Sequence, residues 1–401
     1  MNKFFITIMI FLTVSLHAAD FGLVVNAGGG FGGTAAEESA FDFQIDLWPR
    51  LSFLIGDNGE FIATAGFTVG YENDELFYVP ELLHTELSLR FGNSGIRIGR
   101  FNYSDPLSFI AEGLFDGFRY FSNTDAGNFH IGAWYTGFLY KKNVNITMTK
   151  DDSAIFGTPV DYNDFLNTYF APRRAFVSIG WGHPSLGEFM NLNTAVIGQF
   201  DLSDNDTKFH SQYLVLKAVI PIDNFSIDLG GSLQFSQTIE NEDTFNMAFA
   251  AEFGFSRLFP SAFNSQLSFS GKIAGGRIDS FFGEFVPITT KYYGFILKHK
   301  MSGLSVLNLN YSARLSRTLG ASFNASYFVR NDLGTFAGYP TSGENGGYFL
   351  GPEVCARFIW SPASDLQINF AGGAFIPALG DAGPNEKIRW RAELTATMAV
   401  F

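Results

Sequence analysis

The feature that most limits this fold is a period of two in the side chains, kept over segments of about 10 to 14 residues, which suits a tilted strand crossing a hydrocarbon core. Phe225, Ile227, Leu229, Leu233 and Phe235 fall on one face, with Ser226, Asp228, Ser232, Gln234 and Ser236 on the other. Phe245, Met247, Phe249, Ala251, Phe253 and Phe255 then oppose Asn246, Glu252 and Ser256. Leu307, Leu309, Tyr311, Ala313 and Leu315 repeat the rule, as do Ile388, Trp390, Leu394, Met398 and Val400 near the end. A soluble sandwich also alternates, but its strands average about 5 or 6 residues. Beyond the N-terminal leader no uncharged run reaches the roughly 18 residues that a spanning helix needs. Lipid offers backbone groups no partner, so such a sheet must close on itself. The expectation is one antiparallel transmembrane β-barrel.

About nineteen segments carry strand character, beginning near Phe21, Ala40, Glu60, Pro80, Ile96, Glu112, Asn128, Pro172 and Glu188, then Phe209, Phe225, Thr244, Ser265, Thr290, Leu304, Leu319, Gly347, Ser364 and Glu386. Bacterial single-chain barrels have an even number, which predicts about eighteen strands, within a range of about sixteen to twenty, and makes one segment surplus. The Gly-rich first segment and the short one at Ile96 to Tyr103 carry the weakest pattern. Tight turns are expected at Asp57-Asn58-Gly59, Asn93-Ser94-Gly95, Ser302-Gly303 and Pro362-Ala363-Ser364. Long loops are expected at Lys142 to Ala171, Arg277 to Thr289 and Asn331 to Gly346. Short and long connections do not alternate cleanly around Arg277 to Leu319.

The ends fit export. Lys3 and the uncharged run Phe4 to Leu16 read as a secretory signal, followed by small residues at Ala18 and Ala19. This divides the chain into a signal peptide over 1–19 and a barrel domain over 20–401. Forty-seven Phe and forty-three Gly beside 16% charged residues leave too few charges for an ordinary soluble surface. A net charge of −13 argues against nucleic acid. Cys355 is the only cysteine, which removes internal disulfides and Cys-rich metal cages. The histidines show no local metal-pair spacing, and no G-x-S-x-G elbow is present, so neither a metal, a cofactor nor an enzyme activity is expected. Gly28, Gly30 and Gly33 match a dinucleotide loop in spacing, but the alternation resuming at Phe41 makes them a strand end or turn.

The stretch Ile98-Gly99-Arg100-Phe101, then Ser104-Asp105-Pro106, then Gly113-Leu114-Phe115-Asp116-Gly117-Phe118-Arg119, resembles a block found in spirochaete outer-membrane barrel proteins. Thr168-Tyr169-Phe170-Ala171-Pro172-Arg173-Arg174 resembles another. The resemblance implies an outer-membrane, porin-like barrel of undefined substrate. A terminal aromatic residue such as Phe401 is the usual barrel-insertion signal, although here the apolar set of the last strand is offset by one from that phase.

Candidate lumen residues on the polar faces are His84, Glu86 and Arg90, Glu353 and Arg357, and Arg389, Arg391 and Glu393, with Arg100, Asp116 and Arg119 in the family-like block. Mixed signs suggest cross-strand pairing as readily as selectivity. Acidic residues gather at expected loops: Asp151, Asp152, Asp161 and Asp164; Asp201, Asp204 and Asp206; Glu240, Glu242 and Asp243. They would make an acidic mouth or a solvated surface. The functional expectation is a channel for passive diffusion of small hydrophilic solutes, with a surface scaffold or adhesin as the alternative and a carrier of apolar ligands as a lesser one. Expected partners are outer-membrane lipid, the barrel-assembly machinery through the last strand, and the solutes themselves; the sequence assigns no oligomeric state.

Overall fold

The structure, a computed structural model, describes residues 19–34, 40–72, 74–240, 243–277, 282–333, 346–383 and 387–400. The leader, most of the expected signal, Glu386 and Phe401 lie outside the described residues. The strands are β1 (Ala19–Thr34), β2 (Ala40–Ile55), β3 (Gly59–Glu72), β4 (Glu75–Phe91), β5 (Ser94–Ser104), β6 (Glu112–Thr124), β7 (Gly127–Tyr135), β8 (Arg174–Leu186), β9 (Met190–Asp201) and β10 (Lys208–Ile222). They continue as β11 (Phe225–Ile239), β12 (Thr244–Phe259), β13 (Ser265–Ala274), β14 (Tyr292–Tyr293), β15 (His299–Lys300), β16 (Leu304–Arg314), β17 (Leu319–Arg330), β18 (Phe349–Ala363), β19 (Leu366–Phe375) and β20 (Arg389–Val400). All but β14 and β15 belong to one 18-stranded sheet. Every neighbour pairs antiparallel, and β20 returns to β1 from Leu23↔Val400 to Thr34↔Arg389, so no edge faces lipid along that seam.

The surplus segment is the one at Thr290. Its residues form a small hairpin, Tyr292↔Lys300 and Tyr293↔His299, that is not part of the barrel wall. Both segments with the weakest pattern, β1 and β5, are wall strands, and Gly28, Gly30 and Gly33 lie inside β1. Ser302-Gly303 does not join neighbouring strands; it ends the long β13-to-β16 connection. With that change the connections alternate: the tight turns share the end where β1 starts and β20 stops, and the long loops share the other. Barrels place the first set in the periplasm and the second outside.

The apolar faces point outward as the alternation requires: Leu229, Phe249, Leu309, Phe323, Leu394 and Met398 are all exposed on the outer wall. In β20 the inner face is fixed by Arg391, which pairs with Asp42 at 2.8 Å, and by Thr397, which donates to Asn26 at 2.9 Å. Replacing Leu394 by Arg is therefore expected to cost roughly 2 to 4 kcal/mol near the bilayer midplane, and Thr395→Arg much less. Unfolding of both variants in lipid vesicles checks the phase; a larger penalty for Thr395→Arg would reverse it.

Two departures from a plain barrel matter for the lumen. Loop residues 105–111, 136–173 and 282–303 fold into the outer half of the barrel and pack an apolar core there, with Phe101, Phe115, Trp134 and Phe176 from the wall meeting Phe109, Ile146, Phe285 and Ile288 from the loops. The lumen is thus plugged on one side. The second departure is at β4, which pairs with β5 only from Phe91↔Ser94 to Thr85↔Arg100. Above that point its free edge is covered by side chains: Tyr162 donates to the carbonyl of Tyr78, Tyr169 to that of Pro80 at 2.8 Å, and Arg100 to that of Leu82. Pro80 has no N–H to leave unpaired on this edge, which is where a strand tolerates proline.

Candidate functional site

The plug is held by carboxylates that accept backbone amides. Asp105 accepts from Leu107 (2.8 Å), Ser108 (3.1 Å), Ile110 (2.9 Å) and Ala111 (2.9 Å), and so folds its own loop inward. Burial raises its carboxyl above the usual range, opposed by those same amides. The segment 282–303 then crosses the interior. The amide of Ile288 donates to Ile110 O at 2.7 Å and that of Thr290 to Asn145 O at 2.7 Å. Gln234 reads Val286 in both directions, donating at 3.0 Å and accepting at 2.8 Å.

Glu353 on β18 fastens the β14–β15 hairpin. Its carboxylate accepts from Phe295, and from Ile296 and Leu297 at 2.9 Å each, and it is only 3% exposed. The turn it holds carries Gly294 at φ 86°, where glycine is needed, and Lys298 at φ 48°. Behind it His299 is buried, which pulls its imidazole down to about 4 against the opposing bond to the Lys300 carbonyl. Within loop 136–173 are three short helices, α1 (Lys141–Val144), α2 (Lys150–Gly157) and α3 (Phe165–Tyr169). Lys141 is buried and donates to Thr158 O at 2.6 Å; desolvation lowers its ammonium to about 8.

What the plug leaves is an off-centre polar space. One cavity of about 740 Å³ lies between the hairpin and the β13–β18 wall, lined by Lys272, Lys298, Asn308, Asn324, Arg357 and Glu393 among others. A second, of about 350 Å³, lies against β1–β3 and β20, lined by Asn26, Asp42, Gln44, Lys298, Arg391 and Glu393. Lys298 and Glu393 line both, so the two spaces meet at the hairpin tip.

The expected lumen residues divide accordingly. Arg357, Arg391 and Glu393 line the polar space, with Arg391 bridging Glu393 (2.5 Å) and Asp42 (2.8 Å). Glu353 is spent on the hairpin amides. Arg389 lies on the inner face at the outer end of β20, and Arg90 is exposed, its amide bonded to the Asn58 turn at 2.9 Å. His84 and Glu86 face inward and bond at 3.0 Å, and Glu86 pairs with Arg97 at 3.3 Å. Arg119 also faces inward. Arg100 and Asp116 do not line the lumen: they pair at 2.8 Å on the outward face that also carries Ile98 and Phe118. The inner positions beside them are taken by Phe101 and Phe115, which pack the plug.

The acidic loops also divide. Asp152 and Asp201 are not solvated; both are buried against Arg174, Asp152 at 2.6 Å. Asp204 pairs with Arg173 at 2.9 Å, Asp161 and Asp164 bond within their own loop, and Asp243 accepts from Gln237 at 3.1 Å. Asp151, Asp206 and Glu240 are exposed, and Glu242 lies outside the described residues. Among the described residues no group of three His, Cys, Asp or Glu could hold a metal. Sequence reasoning missed Lys298 and Lys272, which sit where the alternation stops or pairs across strands.

No family model and no curated protein matches the chain. Solved structures do. Pseudomonas aeruginosa OccK2 (OpdF) superposes with a TM-score of 0.62 at 13% identity, covering 96% of this chain and 99% of that one. OccK5 (OpdH) from the same organism gives 0.60 at 12%, with 96% and 99% covered. The Pseudomonas aeruginosa outer membrane protein OpdK gives 0.62 at 12%, again with 96% and 99% covered. OccK2 is also known in complex with glucuronate, and that structure aligns at 0.59 and 13% over 95% of this chain and 96% of its own. The fold is thus that of an eighteen-stranded, porin-like outer-membrane barrel.

Proposed function

We propose that this chain is an outer-membrane channel through which small hydrophilic solutes diffuse passively. The observation that carries the reading is the pair of polar cavities that share Lys298 and Glu393 beside the apolar plug. A barrel serving only as a scaffold has no need to keep charged and amide side chains around an open space. The glucuronate bound by the similar OccK2 barrel supports solutes of that size and polarity. The signal reading of 1–19, the assembly machinery acting through β20, the surrounding lipid and a place among spirochaete-type barrels belong to the same proposal. No catalytic step is assigned.

Purified protein in planar bilayers should give stepwise conductance. Cys355 lines the larger cavity and is the chain's only cysteine, so a charged thiol reagent should lower that conductance severalfold, and Cys355→Ser should abolish the effect. The plug favours one rival, a surface barrel closed by its own loops. Absence of conductance across several preparations would select it.

A further inference from the structure

We propose that the larger cavity is a binding site for a neutral saccharide, whose hydroxyl groups are read by the inner face of β16 and β17 and whose C–H face is read by the β14–β15 hairpin. This deepens the channel reading and rests on it. The wall side of the cavity is a grid of uncharged polar groups. Asn308 lies between Ser270 on β13 and Ser326 on β17, Asn310 lies opposite Asn324, and Ser322 takes the next inward position. All point inward because Leu307, Leu309 and Phe323, which alternate with them, are exposed on the outer wall. From Asn308 to Asn310 and from Ser322 to Ser326 no inward position carries a charge. Charge is confined to the margins. Lys272 is engaged by Glu252, Lys291 by Glu112 at 2.6 Å and Glu393 by Arg391 at 2.5 Å, which leaves Arg357 beside Ser322 and Lys298 at the hairpin tip as the border.

Such a surface selects its ligand by chemistry. Holding an ion takes opposite charge, whereas amides and hydroxyls offer donors and acceptors together, as the hydroxyl groups of a sugar do. Asn308 donates to Ser326 Oγ at 2.9 Å, and Ser326 donates to Asn324 Oδ1 at 3.0 Å, so these three side chains are set in place. Among the described residues no side-chain bond occupies the amide of Asn310 or the hydroxyls of Ser270 and Ser322. They are open to a solute.

The facing side is aromatic. Tyr293, Ile296 and Leu297 of the hairpin pack on the plug core, but Tyr292 and Phe295 stand outside that core and line the cavity, with Tyr292 42% exposed. A pyranose has hydroxyls around its edge and C–H groups on its faces, and the negative face of an aromatic ring attracts C–H groups. Glu353 grips the amides of Phe295, Ile296 and Leu297, so the rings are held opposite the grid before any ligand arrives, which lowers the cost of ordering them. The volume of about 740 Å³ falls within the range of small-molecule sites, roughly 300 to 1,000 Å³.

Maltose is the probe, with the protein folded in a detergent that has no sugar headgroup. Equilibrium dialysis of labelled maltose should show saturable binding by the wild type, weakened about fivefold to tenfold in Asn310→Ala and in Tyr292→Ala, as for one lost hydrogen bond or one lost ring contact. Both side chains face the lumen, so unfolding midpoints should stay at the wild-type value. Arg357→Gln should bind maltose as the wild type does. In planar bilayers the sugar should interrupt the current, and less often in the two weakened variants. Absence of maltose binding by the wild type, or unchanged affinity in either Asn310→Ala or Tyr292→Ala, overturns the site. Loss of binding in Arg357→Gln, or binding of glucuronate but not maltose, also overturns it, because recognition would then belong to charge. A protein that conducts but binds no maltose keeps the channel and loses the site; one that binds maltose but does not conduct does the reverse.

Discussion

Arg174→Met should lower the unfolding free energy of the barrel by about 3 to 5 kcal/mol, the usual cost of leaving buried charge without its partner. Arg174, at the outer end of β8, is fully buried between Asp152 and Asp201. Each carboxylate also has a local task. Asp152 closes a capping box at the start of α2, accepting from the Thr149 amide at 2.9 Å. Asp201 turns the β9–β10 loop by accepting from Ser203 at 2.9 Å and Phe209 at 3.1 Å. Without the guanidinium two buried carboxylates would face each other, and loop 136–173 would lose its tie to the rim. Adding Asp152→Asn and Asp201→Asn should recover most of the loss, since neutral amides cost far less to bury. Denaturant unfolding in micelles measures it, and a loss below about 1 kcal/mol would mean the triad is solvated.

Glu353→Ala is expected to have the largest effect on conduction. Three successive amides would lose their acceptor, each at about 1 to 3 kcal/mol if it stays buried. The hairpin would instead leave its seat, and the two cavities would merge into a wider path. Open-channel current should rise severalfold and grow noisier, and Cys355 should react faster with thiol reagents. Glu353→Gln keeps one good acceptor and should fall between. Unchanged current in Glu353→Ala would show that the hairpin is held by the apolar contacts of Leu297 and Phe285 alone.

Wall strands were legible because lipid on one side and water on the other impose a period that survives any sequence, as in β11, β12 and β20. The limit of that rule explains the errors. Where the plug packs against the wall, the inner side is apolar too, so Phe101, Tyr103 and Phe115 point inward and Arg100 and Asp116 are left outside. An apolar-outward reading inverts there. The segment at Thr290 failed for a related reason: Ile288 and Leu297 are as apolar as a wall strand but are buried inside the barrel, with Tyr293 packed partly buried against the same core. The pairing of distant carboxylates with amides, as in Glu353, leaves no trace in spacing.

The covered edge of β4 constrains the order in which the molecule can be made. Tyr162 and Tyr169 are translated long after Tyr78 and Pro80, so those two carbonyls stay open until β7 has been placed and the chain has doubled back, whereas that of Leu82 waits only for Arg100 on β5. In that interval the edge is a template for any extended segment nearby, including the same segment of another nascent copy. Proline at position 80 interrupts the donors such a strand would need, which gives a folding intermediate protection that the finished barrel no longer requires.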